Sequence, residues 1–69
     1  MIKENDRVVT LVDKKTQEGT TYPKGMIGVV VDVYADGKAG AIELWDDTGY
    51  PEDVLTYEAT EVKVIPSKD

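Results

Sequence analysis

Apolar residues in this chain occur in short runs rich in valine and isoleucine, and residues that favour turns separate the runs. No stretch has the repeat of about 3.6 residues that an amphipathic helix requires. Short β-branched runs bounded by Gly, Pro, Asp and Asn are typical of strands. The pattern therefore predicts strands at residues 6–12, 27–34, 40–45, 54–58 and 63–65.

The connecting segments differ in their turn signals. Residues 13–23 are predicted to be a polar loop, and residues 46–53, DDTGYPED, form a second turn-rich connection. Asp36-Gly37 predicts a two-residue hairpin turn, because both central positions of such a turn need positive φ. The sequence ATEV at residues 59–62 predicts a single 3₁₀ turn.

Together these elements predict an all-β fold, a small five-stranded barrel with one 3₁₀ turn near residues 59–62. Closing the sheet into a barrel removes the exposed edges that favour aggregation. A chain of 69 residues predicts a single domain, 1–69, and we expect its ordered core to cover about residues 4–66.

The predicted strand at residues 27–34 carries valines on both faces. Val29, Val31 and Val33 alternate onto one face, and Val30 lies on the other. Apolar residues on both faces indicate a strand that is covered on both sides, or one that bends between two sheets. Val30 and Val31 are therefore both expected to be buried, and aspartate at either position is expected to unfold the domain.

The stretch GMIGVVVDV fits the pattern Gly-x-x-Gly-x-Val-x-x-Val through Gly25, Gly28, Val30 and Val33. Upstream, NDRVVTLV resembles the GDxVxV strand that opens the same pattern. Together they resemble the SH3-like barrel half of KOW-type domains, and the same plan occurs in the barrel of the nitrile hydratase β-subunit. Over roughly residues 4–66 the chain resembles a family of small bacterial SH3-like domains of uncharacterised function. The resemblance implies an SH3-like β-barrel.

The glycines also have physical roles that do not depend on the resemblance. Gly25 is expected to supply a positive φ that closes the loop into the strand. Gly28 is expected to allow two backbones to approach closely, or to let the strand coil. Gly37 supplies positive φ in the predicted hairpin. With Val30 and Val33, these glycines are the predicted structural residues.

The chain contains no histidine and no cysteine. The usual zinc ligands, disulfide bonds and common nucleophile–base pairs are therefore excluded by composition. The acids of residues 46–53 lack the spacing of a calcium-binding loop. We expect no enzymatic activity, no cofactor and no metal site.

Negative charge is concentrated in the second half of the chain. The formal net charge is −6, and residues 39–62 contain seven acids and no base: Glu43, Asp46, Asp47, Glu52, Asp53, Glu58 and Glu61. Such asymmetry indicates a partner of opposite charge. Tyr and Trp are enriched at binding hot spots. The predicted partner-binding residues are therefore Trp45, Asp46, Asp47, Tyr50, Glu52 and Asp53.

The sequence thus predicts a non-enzymatic module that binds a basic protein, a description that also fits an antitoxin or immunity-type inhibitor that masks the basic cleft of a nuclease. Two alternatives remain open. The KOW resemblance implies an RNA- or ribosome-associated domain that would use Lys14, Lys15 and Lys24, although the surrounding acids would repel nucleic acid. The nitrile hydratase resemblance implies an accessory subunit or scaffold of a larger enzyme.

The start of the chain, MIKENDRVV, has neither the apolar segment nor the cleavage site of a signal peptide. No apolar run approaches the length of a membrane span. The expectation is a soluble cytoplasmic protein that does not associate with membranes.

Overall fold

The computed structural model describes residues 1–66, so the last three residues of the predicted domain lie outside the described part. Strands dominate this part of the chain: β1 (Arg7–Thr10), β2 (Lys14–Lys15), β3 (Thr21–Tyr22), β4 (Ile27–Tyr34), β5 (Ala39–Trp45), β6 (Pro51–Glu58) and β7 (Val62–Ile65). Two three-residue 3₁₀ segments, Ala35–Gly37 and Ala59–Glu61, separate strands. Among residues 1–66, no helix is long and apolar enough to cross a membrane.

Five of the strands form one antiparallel sheet in the order β6-β5-β4-β1-β7. These are the five strands that the sequence predicts, and β4 has the predicted bounds. The 3₁₀ turn before the last strand is also found, at Ala59–Glu61. The mostly-β fold with a five-stranded antiparallel sheet is therefore confirmed.

The predicted closure of the sheet into a barrel is not confirmed. Strands β6 and β7 are the two edges, and no ladder joins them within residues 1–66. Only the three residues Ala59–Glu61 connect these edges, so the ends of the two strands are at most about 14 Å apart. Since opposite edges are linked so tightly, the sheet curls around its inner face, which encloses the core.

The core is built from one face of this sheet and from the N-terminus. Its buried members are Ile2, Val8, Val30, Ile42, Leu44, Tyr57 and Val62. Ile2 is only 3% exposed, and its backbone N–H donates to the Gly37 carbonyl at 3.1 Å. The ordered core therefore begins before residue 4, where the sequence placed its start.

The prediction that Val30 and Val31 are both buried is wrong for Val31. Val30 is fully buried, whereas 45% of Val31 is exposed. The register between β4 and β5 shifts between Val30 and Asp32, so Val31 occupies a β-bulge and has no residue opposite it. The bulge disrupts the simple alternation of faces on which the prediction relied.

The segment predicted as a polar loop, residues 13–23, contains a small two-stranded ribbon. Strands β2 and β3 pair through Lys14 with Tyr22 and through Lys15 with Thr21. The intervening turn contains Gly19 at φ +94°. Two-residue strands are too short to show alternation in sequence, which explains why the pattern missed them.

The hairpin between β4 and β5 is longer than predicted. Asp36 and Gly37 have positive φ, +58° and +91°, as the Asp-Gly pair predicts. However, Ala35 also has a positive φ of +53°, and regular pairing ends at Tyr34 opposite Ala39. The connection therefore spans four residues, 35–38, rather than two.

The entry into β4 is fixed by Thr10, a polar residue that is 1% exposed. Its hydroxyl donates to the Pro23 carbonyl at 3.3 Å and accepts from the Met26 N–H at 3.0 Å. Its backbone carbonyl accepts from Gly25 N–H at 2.8 Å, and Gly25 has φ +91°. Further along β4, Val33 is partly buried against the core.

Candidate functional site

The predicted partner-binding residues lie at the end of β5, in the β5–β6 loop and at the start of β6. Asp46 holds this loop together. Its Oδ1 accepts hydrogen bonds from Thr48 N–H at 2.9 Å, Thr48 Oγ1 at 2.7 Å and Tyr50 N–H at 3.0 Å. The Thr48 hydroxyl bond and the backbone bonds lower the pKa of the Asp46 carboxyl. Asp46 therefore shapes the loop, and the sequence did not predict this role.

Four other predicted residues, two in the loop and two at the start of β6, face solvent. Tyr50 is 71% exposed, and Asp47, Glu52 and Asp53 are exposed as well. We call these four residues the acidic loop. Asp53 makes two local contacts, since its Oδ1 accepts from the Val54 N–H at 2.8 Å and its Oδ2 from the Tyr22 hydroxyl at 3.4 Å. Desolvation, followed by the Asp53 charge, raises the pKa of Tyr22.

Trp45 differs from Tyr50 in its environment. It is partly buried in the sheet, opposite Pro51 on one side and Ile27 on the other. Its indole Nε1 is buried and has no hydrogen-bond partner among residues 1–66. Trp45 also lines a groove of about 300 Å³ with Arg7, Ile27, Val29, Asp46 and Gly49. The sequence grouped Trp45 with the acidic residues and missed its apolar neighbours on β4.

The alternative basic site does not present three free lysines. Lys14 Nζ lies 2.9 Å from Glu61 Oε1 and 4.9 Å from the centre of the Tyr57 ring. Glu61 Oε1 also accepts the Glu58 N–H at 2.9 Å. Lys15 and Lys24 are exposed. Because Lys14 is already paired, a phosphate would have to compete with Glu61 for it.

Glu61 and Asp46 give a prediction for acid. The Glu58 N–H, followed by Lys14, lowers the pKa of Glu61 from its ordinary 4.5, and the pKa of Asp46 is lowered from 3.8. Lowered carboxyl pKa values contribute stability that is complete above the unfolded values and is lost as pH falls through the folded values. We expect thermal melts to show stability falling below about pH 4.5.

The double variant Asp46→Asn, Glu61→Gln is expected to be less stable than the parent at neutral pH and to lose less stability on acidification. Glu4→Gln serves as the control, because Glu4 is exposed and forms no ion pair among the described residues. If the melting temperature fell equally steeply with decreasing pH in the parent, the double variant and the control, neither carboxylate would be coupled to folding.

Among residues 1–66, no group of three or more Asp or Glu side chains is placed to hold a metal ion. Comparison with models of protein families, with curated proteins and with solved structures finds no match to this chain. The candidate site is therefore defined by its own geometry: an exposed acidic loop beside a groove lined by Trp45.

Proposed function

We propose that this chain is a non-enzymatic interaction module that binds a basic protein through the acidic loop. The observation that carries the proposal is charge segregation on an exposed surface. Asp47, Glu52 and Asp53 are exposed beside Tyr50, in a stretch of chain, residues 39–62, that contains no base. The single ion pair among residues 1–66 joins Lys14 to Glu61, so the loop carboxylates remain available to a partner.

Asp46 and Trp45 contribute to this surface in different ways. Asp46 fixes the loop through its three accepted hydrogen bonds, which reduces the conformational entropy that binding would otherwise cost. Trp45 supports the loop from the sheet, and Tyr50, with most of its ring exposed, supplies the aromatic contact.

We also propose that the curled sheet is an SH3-like barrel. Three features support this: the strand order β6-β5-β4-β1-β7, the long β1–β4 connection that contains the β2–β3 ribbon, and the 3₁₀ turn between β6 and β7. On this scaffold the acidic loop connects two adjacent strands at one end of the sheet. Loops held by a rigid sheet are common binding sites.

The partner class that fits this surface best is a nuclease or another protein with a basic cleft, which the module would occupy as an antitoxin or immunity-type inhibitor. Several exposed carboxylates raise the encounter rate with such a partner more than they raise the final affinity. Exposed charges are screened over about 10 Å at 0.1 M salt, so the association rate is expected to fall as ionic strength rises.

The test begins with affinity capture from a bacterial lysate, with and without nuclease treatment, and continues with the association kinetics of the purified partner. The triple variant Asp47→Asn, Glu52→Gln, Asp53→Asn is expected to associate roughly tenfold more slowly at low salt. Its rate is also expected to depend less on salt. Surface plasmon resonance at several ionic strengths measures both effects.

The matched control is Glu4→Gln, Glu18→Gln, Asp36→Asn, which removes the same charge from exposed positions outside the acidic loop. Association that is slowed equally by both triple variants would reflect net charge alone and would contradict the proposal. Capture that requires nucleic acid and is lost on replacing Lys14, Lys15 and Lys24 would instead favour the RNA-associated alternative.

A further inference from the structure

One end of the sheet face opposite the core carries an apolar patch. At this end the pairing registers place ten residues in two rows that cross all five strands, and we call these two rows the outer face. In the order β7, β1, β4, β5, β6, the first row is Ile65, Arg7, Val29, Glu43 and Val54, and the second is Lys63, Val9, Ile27, Trp45 and Pro51.

Seven of these ten residues are apolar, and Ile27 and Val54 are 40% and 48% exposed. An antiparallel sheet with one free face normally presents polar residues there. A contiguous apolar patch that is rimmed by charges marks an interaction site. Within residues 1–66, nothing packs over the exposed side chains of Ile27 and Val54. The valines that the sequence places on both faces of β4 are thus explained only in part by the core.

We propose that the outer face is the interface of a homodimer, in which two sheets pack face to face about a two-fold axis parallel to β4. Such an axis exchanges β1 with β5 and β7 with β6, and it leaves each row opposite itself. The symmetry therefore fixes which side chains of the two copies contact each other. This inference goes beyond the proposed function, because it concerns the sheet face beside the acidic loop, which includes Trp45, and a different partner.

The charges on the face are complementary under this symmetry. Arg7 on β1 meets Glu43 on β5 of the second copy, and the pair forms twice. Within one chain these residues flank Val29 from two neighbouring strands, and no ion pair joins them among residues 1–66.

The apolar residues are complementary as well. Val29 and Ile27 lie on β4 and meet their own copies, and Val9 meets Trp45 of the second chain. The grooves on either side of Arg7, of about 300 and 390 Å³, provide concave space for these side chains. Because the sheet curls around its core, the outer face is convex and the contact centres on β1, β4 and β5. A small contact of this kind predicts a weak, concentration-dependent dimer.

The dimer is tested by sedimentation velocity of the full chain from about 10 μM to about 1 mM, a range suited to weak interfaces. We expect the mass to rise from that of one 7.6 kDa chain toward twice that value. Trp45 is the single tryptophan, so its fluorescence is expected to shift with dilution over the same range. A single-chain mass and constant fluorescence throughout would overturn the proposal.

Charge exchange tests the two-fold arrangement itself. Arg7→Glu and Glu43→Arg are each expected to weaken dimerisation at least about tenfold, because each places like charges opposite each other twice. The double variant Arg7→Glu, Glu43→Arg restores the pairs and is expected to regain most of the affinity. Lys38→Glu, which makes the same charge change as Arg7→Glu but in the β4–β5 turn, is the control for that variant. A double variant no better than the single variants overturns this geometry.

Apolar contact is tested by Ile27→Lys, which is expected to abolish the dimer, against Val64→Lys, which is not. The control matches because Val64 is 41% exposed and pairs with the buried Val8, in a row that does not belong to the outer face. Far-UV circular dichroism and the melting temperature of the diluted proteins establish that each variant is folded. Both substitutions leave the acidic loop intact, so loss of the dimer with retained binding to a basic partner separates the two proposals.

Discussion

Val30→Asp is expected to leave the domain unfolded at 25 °C. Val30 is fully buried in the core. Its replacement removes apolar burial worth about 1.5–3 kcal/mol. It also places a carboxylate among the buried apolar side chains of the core, at a desolvation cost of several kcal/mol more. A chain of 69 residues has a total stability of only about 3–10 kcal/mol, so the loss is comparable with the whole.

Val31→Asp is the matched comparison, with the same change of side chain one residue away. Val31 lies in the β-bulge and is 45% exposed, so the new carboxylate remains hydrated. We expect its free energy of unfolding to change by less than about 1 kcal/mol. Circular dichroism and urea denaturation of both variants measure the difference. Equal losses at the two positions would contradict the bulge and the register that follows it.

The sequence predicts the strands well because strand formation depends on local pattern. The valine-rich run at residues 27–34 and the turn residues that flank it are visible without any knowledge of tertiary contacts, and β4 has the predicted bounds. The bulge, in contrast, could not be predicted from local pattern. Val30 pairs with Ile42 and Asp32 pairs with Ala41, so Val31 is an extra residue on β4 that has no counterpart on β5. This depends on how two distant segments pair, and neither segment shows it in its own sequence.

Ile2 shows the same limit at the chain terminus. A single isoleucine within a polar N-terminal segment carries no periodic signal, and the sequence placed the start of the core after it. In the fold it is buried, because Gly40 leaves space for its Cδ1 beside β5. An ideal Cβ on Gly40 would lie 2.8 Å from that atom. Small residues that create such space are recognised only once the partner is known.

The sequence identifies the acidic residues of the candidate site but not their spatial arrangement. The sequence identifies residues 39–62 as an acidic stretch without a base, but it gives no reason to distinguish Asp46 from Asp47. The structure separates them, since Asp46 accepts three hydrogen bonds within the loop and Asp47 is exposed. The outer face was similarly hidden, because its rows combine residues from five strands that are far apart in sequence.

Gly28→Ala is expected to destabilise the domain by about 1–3 kcal/mol, the usual cost of forcing an extra methyl group into a packed core. The pattern that suggested a close backbone approach at Gly28 has a direct counterpart in the fold. An ideal Cβ there would lie 2.5 Å from Ile42 Cγ2 and 2.9 Å from the Glu43 carbonyl oxygen. The second atom belongs to the backbone, so β4 and β5 must separate. The melting temperature is expected to fall by roughly 5–20 °C.

Gly49→Ala distinguishes this steric cost from a conformational one. Gly49 has φ +88°, and a Cβ there would meet nothing within 4 Å, so alanine would cost only the strain of its backbone conformation, about 1 kcal/mol.

Ile42→Leu removes the Cγ2 atom that the methyl group introduced by Gly28→Ala would meet, so Gly28→Ala is expected to cost less in that background. Relief is only partial, because the Glu43 carbonyl remains. A double-mutant cycle measures this coupling, and strictly additive losses would show that Ile42 does not oppose the new methyl group.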